Sequence, residues 1–423
     1  MTDNNYFQKY IELKKKFGFL YKEIDLGKAL AHDIAKITFN QNSANQAIEI
    51  FHNIFYKIDF NQLKKSMASN KIVCIYSVDR LDYKYQLEQT FKYIDSSEIW
   101  ILSDFSWKKS FNILRILKAF FYTLEISCSY QLNFKQIIFL ASRLVYYKNL
   151  CDQLYQTFDK FDNEGKVFVA FNSAFTVENL LTQFFRGQDV RTISLSHCIF
   201  TSYKSFVPLD IINLENIVSE KLLVWGESSR NYLINHFGAS KDSIEVAGNP
   251  KYSLKVINVK QSFKKGVVLL GRKIYEESNF DIVNILKKLL HTLPNICLEL
   301  KLHLSLDSAI YKKLCEGTNI SVIEGKESLN ELFEKKGYDF AIVNNSTAYY
   351  EAMYYDMVCF RYEPSENEKF EGLDDYFHDT SSLLDRISMF QSTSSENLNF
   401  HVERVLTEAI GMGINRYKEL LES

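Results

Sequence analysis

The sequence predicts an α/β protein built from two doubly wound, Rossmann-like parallel-sheet domains, and three features predict it. Short, continuously apolar runs recur along the chain and each ends in polar residues. Stretches with helical periodicity lie between them, and a strand apolar on both faces needs helices on both sides of its sheet. At 423 residues the chain has room for two domains of ordinary size.

In chain order, residues 1–65 read as a helical N-terminal extension, with apolar positions at Phe7, Tyr10, Ile11 and Leu13 and again at Ile48, Phe51 and Ile54. Strand runs follow at 71–79 (KIVCIYSVD), 98–104 (EIWILSD), 166–173 (KVFVAFNS), 190–197 (VRTISLSH) and 221–227 (KLLVWGE). Helices are expected over 108–126, 133–160 and 175–186, which makes 66–255 the first sheet domain. Gly248, Asn249 and Pro250 break structure, and the polar segment up to Lys265 reads as a hinge. A second set then begins: strands at 266–271, 296–306, 320–325, 339–345 and 357–362, with helices at 277–291, 327–336 and from Thr347. This second domain covers 256–398, and 399–423 reads as one closing helix.

Composition narrows the function classes. Fifty basic residues against 52 acidic ones leave a formal charge of -2, so no overall field attracts nucleic acid. Seven cysteines lie far apart with no CxxC pair, which suits reduced thiols in the cytoplasm and argues against a zinc module or a disulfide framework. The polar start lacks the apolar core of a signal peptide, and no run approaches the ~18 apolar residues of a membrane span, so any lipid contact is expected to be peripheral.

Ligands of such sheets sit beyond the carboxyl ends of the strands, so the polar residues there are the candidates. In ELKLHLSLDS, alternation puts Lys301, His303 and Ser305 on one face and Leu300, Leu302, Leu304 and Leu306 on the other. A half-buried strand with a wet face has the same pattern. Asn345, Ser346 and Thr347 lead from an apolar strand into a helix, whose unpaired N–H groups suit a phosphate, although these are also ordinary capping residues. Glu351 lies one turn further on the same face, placed to hold ribose hydroxyls. Gly271, Arg272 and Lys273 follow the first strand of the second domain, where glycine admits a ligand close to the backbone and the cations face phosphate. In the first domain His197 ends a buried strand and is the first candidate for a general base, with Asp79 next and Asp82 and Glu178 as rivals. No Asp-x-Asp motif with metal-binding spacing is found, so a divalent metal is not expected, and no cofactor beyond the nucleotide-activated substrate.

Lys301-Leu302-His303-Leu304, followed by Ser346-Thr347 and Glu351, resembles the ordered Lys-x-His-Pro and Ser-Thr elements of bacterial GT-B-fold transferases of surface polysaccharide assembly. The group most similar is that of CDP-glycerol glycerophosphotransferases and capsule polysialyltransferases. VRTISLSHCIF is similar to the segment where such enzymes carry a Leu-Gln-His-Gly turn, and the likeness spans about 165–365. The sequence departs from the pattern at Leu304 (proline), Ser196 (glutamine), Cys198 (glycine) and Asp356 (commonly glycine). The resemblance implies a GT-B glycosyltransferase that takes a UDP-, CMP- or CDP-linked donor in its second domain, with His303 on the donor phosphate. Its acceptor would be a glycan, a lipid-linked glycan or a glycoprotein. A sugar-nucleotide epimerase, an inactive scaffold or chaperone, and a glycan-binding protein are the alternatives.

Overall fold

The computed structural model describes residues 4–39, 46–200, 211–323, 327–344, 346–363 and 370–423. Two six-stranded sheets organise it, and every pairing within them is parallel. The first contains, in chain order, Ile72–Tyr76, Ser97–Ile101, Val167–Ala170, Arg191–Leu195, Lys221–Val224 and Ile244–Val246. The second contains Lys265–Leu269, Cys297–Lys301, Ile320–Val322, Phe340–Val343, Val358–Tyr362 and Tyr376–Phe377.

With strands numbered in chain order within each sheet, the spatial orders are 6-5-4-3-1-2 and 3-2-1-4-5-6. In each, the chain leaves strand 1 in one direction and later returns to its other side. The order therefore reverses between strands 1 and 3 of the first sheet and between strands 1 and 4 of the second. At such a reversal the connecting loops splay apart and leave a crevice at the carboxyl ends. The central strands, such as IVCIY and FAIV, are buried throughout, as helices on both faces require.

Several elements differ from expectation. Each sheet has a sixth, edge strand, of three and two residues, too short to register as a periodic run. The strand expected over 296–306 ends at Lys301, and Leu304, expected on its apolar face, is 92% exposed in a turn. Within the expected helix at 108–126, Trp107–Lys109 is a strand paired antiparallel with Tyr56–Ile58. The helix starts instead at Ile113, where the Asn112 side chain accepts the Arg115 N–H at 3.0 Å, and runs to Tyr130. Residues 1–65 hold short strands as well as helices, and Tyr10, Leu13 and Phe17 share one buried cluster with Val73, Ile75 and Phe168 of the first sheet.

The closing segment is two helices, Ser395–Ile410 and Tyr417–Glu422. Gly411 ends the first in the left-handed region (φ 62°), where a Cβ would meet the Trp225 carbonyl oxygen at 2.2 Å. Beyond it the Arg416 N–H donates to Ala247 O (3.1 Å) and the Tyr417 hydroxyl to Gly248 O (2.7 Å), which returns the chain to the first sheet. Asp356 also adopts a left-handed conformation (φ 62°), which accounts for its standing where glycine is common. Its carboxylate accepts the Asn258 N–H and pairs with Lys255, tying the hinge to the second sheet. Among the described residues no helix is long and apolar enough to cross a membrane.

Candidate functional site

The crevice of the second sheet is built by an amide lock. Asn279, fully buried in the helix Glu276–Thr292, accepts the Gly271 N–H at 2.9 Å and donates to Gly271 O at 3.0 Å. The same Asn279 oxygen accepts from the Asn344 side chain at 2.8 Å, so the ends of strands 1 and 4 are pinned to one residue. Gly271 fits there because it lacks a side chain: a Cβ would lie 3.0 Å from Asn344 O and 3.1 Å from the Tyr275 ring. The side-chain oxygen of Asn344 is buried with no hydrogen-bond partner among the described residues. Sequence reasoning missed Asn279, although a signal existed: it is the polar member of an otherwise apolar stripe through Ile282, Val283 and Leu286.

His303 sits just past the end of strand 2. Its Nδ1 accepts the Ser305 N–H at 3.1 Å and lies 2.9 Å from Ser305 Oγ, which accepts the Lys273 N–H at 3.0 Å. With Nδ1 engaged as acceptor, the proton of the neutral ring is on Nε2. Burial, then the charges of Arg272 and Arg80, hold the imidazole below its usual pKa, so the ring is neutral at pH 7. Arg272 lies over the Tyr275 ring, and both Arg272 and Lys301 already have partners. Lys273 is exposed.

Ser346, Thr347 and Glu351 follow strand 4, across strand 1 from His303. At ~4.8 Å between neighbouring strands the two sides stand roughly 10 Å apart, the scale of a diphosphate. Asn345 lies outside the described residues. The helix start does not present the unpaired N–H groups expected of a phosphate cradle. The helix Ala348–Tyr354 has seven residues, and its first N–H groups are already satisfied: Ala348 N–H by Ser346 Oγ, Tyr349 N–H by Ser346 O and Tyr350 N–H by Thr347 O. What the turn offers a ligand is the Thr347 side chain, which makes no capping bond. Glu351 is partly buried; burial raises its carboxyl pKa, Lys251 opposes that, and Asp82 adds to it.

Arg80 and Asp82 belong to the first lobe. The charge of Arg80 adds to the lowering of the His303 pKa, and that of Asp82 to the raising of the Glu351 pKa. Arg80 pairs with Asp82 at 2.6 Å and lies over the Tyr83 ring. Asp79, the second candidate base, is mostly exposed, with its Oδ1 paired to Lys84 at 2.8 Å. His197 is partly buried, its ring 5.8 Å from Tyr83 and 6.0 Å from Phe171.

At the reversal of the first sheet lies Glu178, 2% exposed in the helix Thr176–Gly187. It accepts the Asn172 N–H at 2.7 Å, yet burial pushes its carboxyl up to about 8. Two residues earlier Thr176, a β-branched residue, is held at φ 38°. Such backbone costs on the order of 1–3 kcal/mol and collects at working sites. Among the described residues no group of three or more His, Cys, Asp or Glu side chains could hold a metal ion.

Two facing, doubly wound sheets with a closing segment that returns to the first define the architecture. It is GT-B-like. Solved structures of similar arrangement include S. aureus MnaA with UDP (12% identity, 83% of this chain and 94% of that one, TM-score 0.48). They also include the UDP-GlcNAc 2-epimerase of Neisseria meningitidis bound to UDP-GlcNAc (13% identity, 82% and 97%, TM-score 0.47). A trehalose 6-phosphate synthase from Burkholderia multivorans aligns at 13% identity over 83% and 97%, with a TM-score of 0.44. Likeness at this level concerns the arrangement of strands and helices and says nothing of substrate. No protein-family model matches the sequence, and no curated protein matches it.

Proposed function

We propose that the protein is a glycosyltransferase that moves a sugar or polyol phosphate from a nucleotide-activated donor to a glycan, lipid-linked or glycoprotein acceptor in bacterial surface-glycan assembly. What supports this reading is that Gly271, His303 and the Ser346–Thr347 turn follow strands 1, 2 and 4 of the second sheet, three parallel neighbours whose carboxyl ends lie together at the reversal of strand order. In the proposed reaction an acceptor hydroxyl attacks the donor, the bond to the nucleotide phosphate breaks, and negative charge grows on the departing phosphate oxygens. His303 Nε2–H, the Thr347 hydroxyl, and the cations Arg272, Lys273 and Lys301 meet that charge, and one fixed donor of this kind contributes ~3 kcal/mol. Glu351 holds the ribose hydroxyls, and His197 takes the acceptor's proton. These groups supply the stabilisation that a divalent ion supplies elsewhere, so turnover is expected to survive a chelator; loss with EDTA and recovery with manganese would contradict that.

The test is to incubate the protein with UDP-, CMP- and CDP-linked donors, with and without a glycan acceptor, and follow both nucleotide release and sugar configuration. Acceptor-dependent release that falls about 100-fold in His303→Ala supports the reading, ~3 kcal/mol being about two decades in rate. Conversion of the donor sugar with no acceptor present replaces it with an epimerase.

A further inference from the structure

The helix Ile113–Tyr130 is apolar on two sides: Ile116, Ala119, Phe120 and Ile126 pack toward the core, and a second stripe faces outward. Its buried side, facing the helix Phe134–Thr157, carries Ala119, Thr123, Ile126 and Ser127, three of them small or polar. Its exposed side carries Leu114 (67% exposed), Leu117, Phe121 (62%) and Leu124, with Ile113 and Phe111 at its start. At 100° per residue, positions 113, 114, 117, 121 and 124 fall within about 100° of arc, the width of a helix's usual core-facing stripe. Here that stripe faces solvent. Phe111 extends it, its ring stacked on Phe55 at 5.3 Å.

Charge says what covers it. Between residues 105 and 136 stand Lys108, Lys109, Arg115, Lys118 and Lys135 against the single carboxylate Glu125, in a chain whose formal charge is -2. Lys109, Lys118 and Lys135 are exposed, while Arg115 is tied to Asp152. A two-fold pair of copies would set this cationic rim against itself, whereas an anionic bilayer attracts it. The helix does not qualify as a membrane span, so it would lie in the interface plane with its apolar stripe among the acyl chains.

We propose that the outward face of Ile113–Tyr130, with its lysine rim, is a docking surface for an anionic lipid bilayer. The proposal does not depend on the donor site, since docking is read without nucleotide.

The experiment is co-sedimentation of the full-length protein with phosphatidylcholine vesicles, with and without phosphatidylglycerol, alongside sedimentation velocity without lipid. The protein is expected to pellet with the anionic vesicles, less so as salt rises. The double variant Leu117→Asp/Phe121→Asp should lose at least about tenfold of that binding, since affinity follows buried apolar area plus charge. Its melting temperature should be unchanged, because both side chains are exposed. Should it fail to fold, Lys109→Glu/Lys118→Glu reads the same surface and should bind several-fold more weakly. Equal pelleting with phosphatidylcholine alone, unchanged binding by either folded variant, or no vesicle binding would overturn the proposal. So would a dimer that Leu117→Asp/Phe121→Asp dissociates, which would assign the face to a second copy of the chain.

Discussion

At the reversal of the second sheet, backbone and amides meet: Gly271 and the Asn344 side chain are both bonded to Asn279, and the neutral ring of His303 is fixed by Ser305. At the reversal of the first sheet, a buried carboxyl group, Glu178, lies beside the strained Thr176. Two doubly wound sheets of different strand order thus make two crevices with opposite chemistry. A site of neutral donors and flanking cations fits an anion that stays bound through a reaction. A carboxyl group held near neutrality fits the lobe where a proton must move. On the proposed reading, the two lobes divide the work along that line.

The largest effect should come from undoing the amide lock. Asn279→Ala leaves the buried Gly271 and Asn344 groups unpaired, at about 1–3 kcal/mol for each group, and a total loss near 3 kcal/mol in chemical denaturation is expected. A loss under ~0.5 kcal/mol, the ordinary surface range, would mean that the lock does not hold the crevice. Next comes His303→Gln, which keeps a side-chain donor but loses the ring geometry. Donor turnover should fall by about 10- to 100-fold while stability stays within ~0.5 kcal/mol.

Glu178 sharpens the contrast through pH. Its folded pKa of about 8 lies above the ordinary 4.5, so the fold binds the proton more tightly than the unfolded chain does. The stabilisation this gives is complete below about pH 4.5 and is lost as pH rises through 8, at up to about 1.4 kcal/mol per pH unit between those limits. Glu178→Gln, permanently neutral, should flatten that slope and be the more stable protein above pH 8; denaturation curves at pH 5, 7 and 9 check this. The smallest effect is expected from Asp79→Asn, within about threefold of normal turnover, because the pair with Lys84 is exposed and such pairs contribute only ~0–1 kcal/mol.

The fold was legible because buried parallel strands must be apolar on both faces, and runs such as IVCIY and FAIV mean little else. The edge strands Ile244–Val246 and Tyr376–Phe377 were not, since two or three residues carry no period. Of the candidate site, the order of His303 and Ser346–Thr347 along the chain was readable. The tautomer set by Ser305, and the use of the first N–H groups of Ala348–Tyr354 by their own turn, depend on local geometry that residue types do not encode. Arg80 was passed over because its segment was read for carboxylates, and its nearness to His303 depends on how the lobes face each other. The outward stripe of Ile113–Tyr130 was not legible, because periodicity marks which residues share a side and not which side is covered.

The central claim is that a nucleotide phosphate occupies the crevice beside His303. Thermal unfolding with UDP, CDP, CMP and GDP, on the native protein and on His303→Ala and His197→Ala, tests it most directly. The account predicts that at least one nucleotide raises the melting temperature of the native protein and of His197→Ala, and that His303→Ala abolishes the shift. No shift with any nucleotide, or a shift that survives in His303→Ala and disappears in His197→Ala, would contradict it.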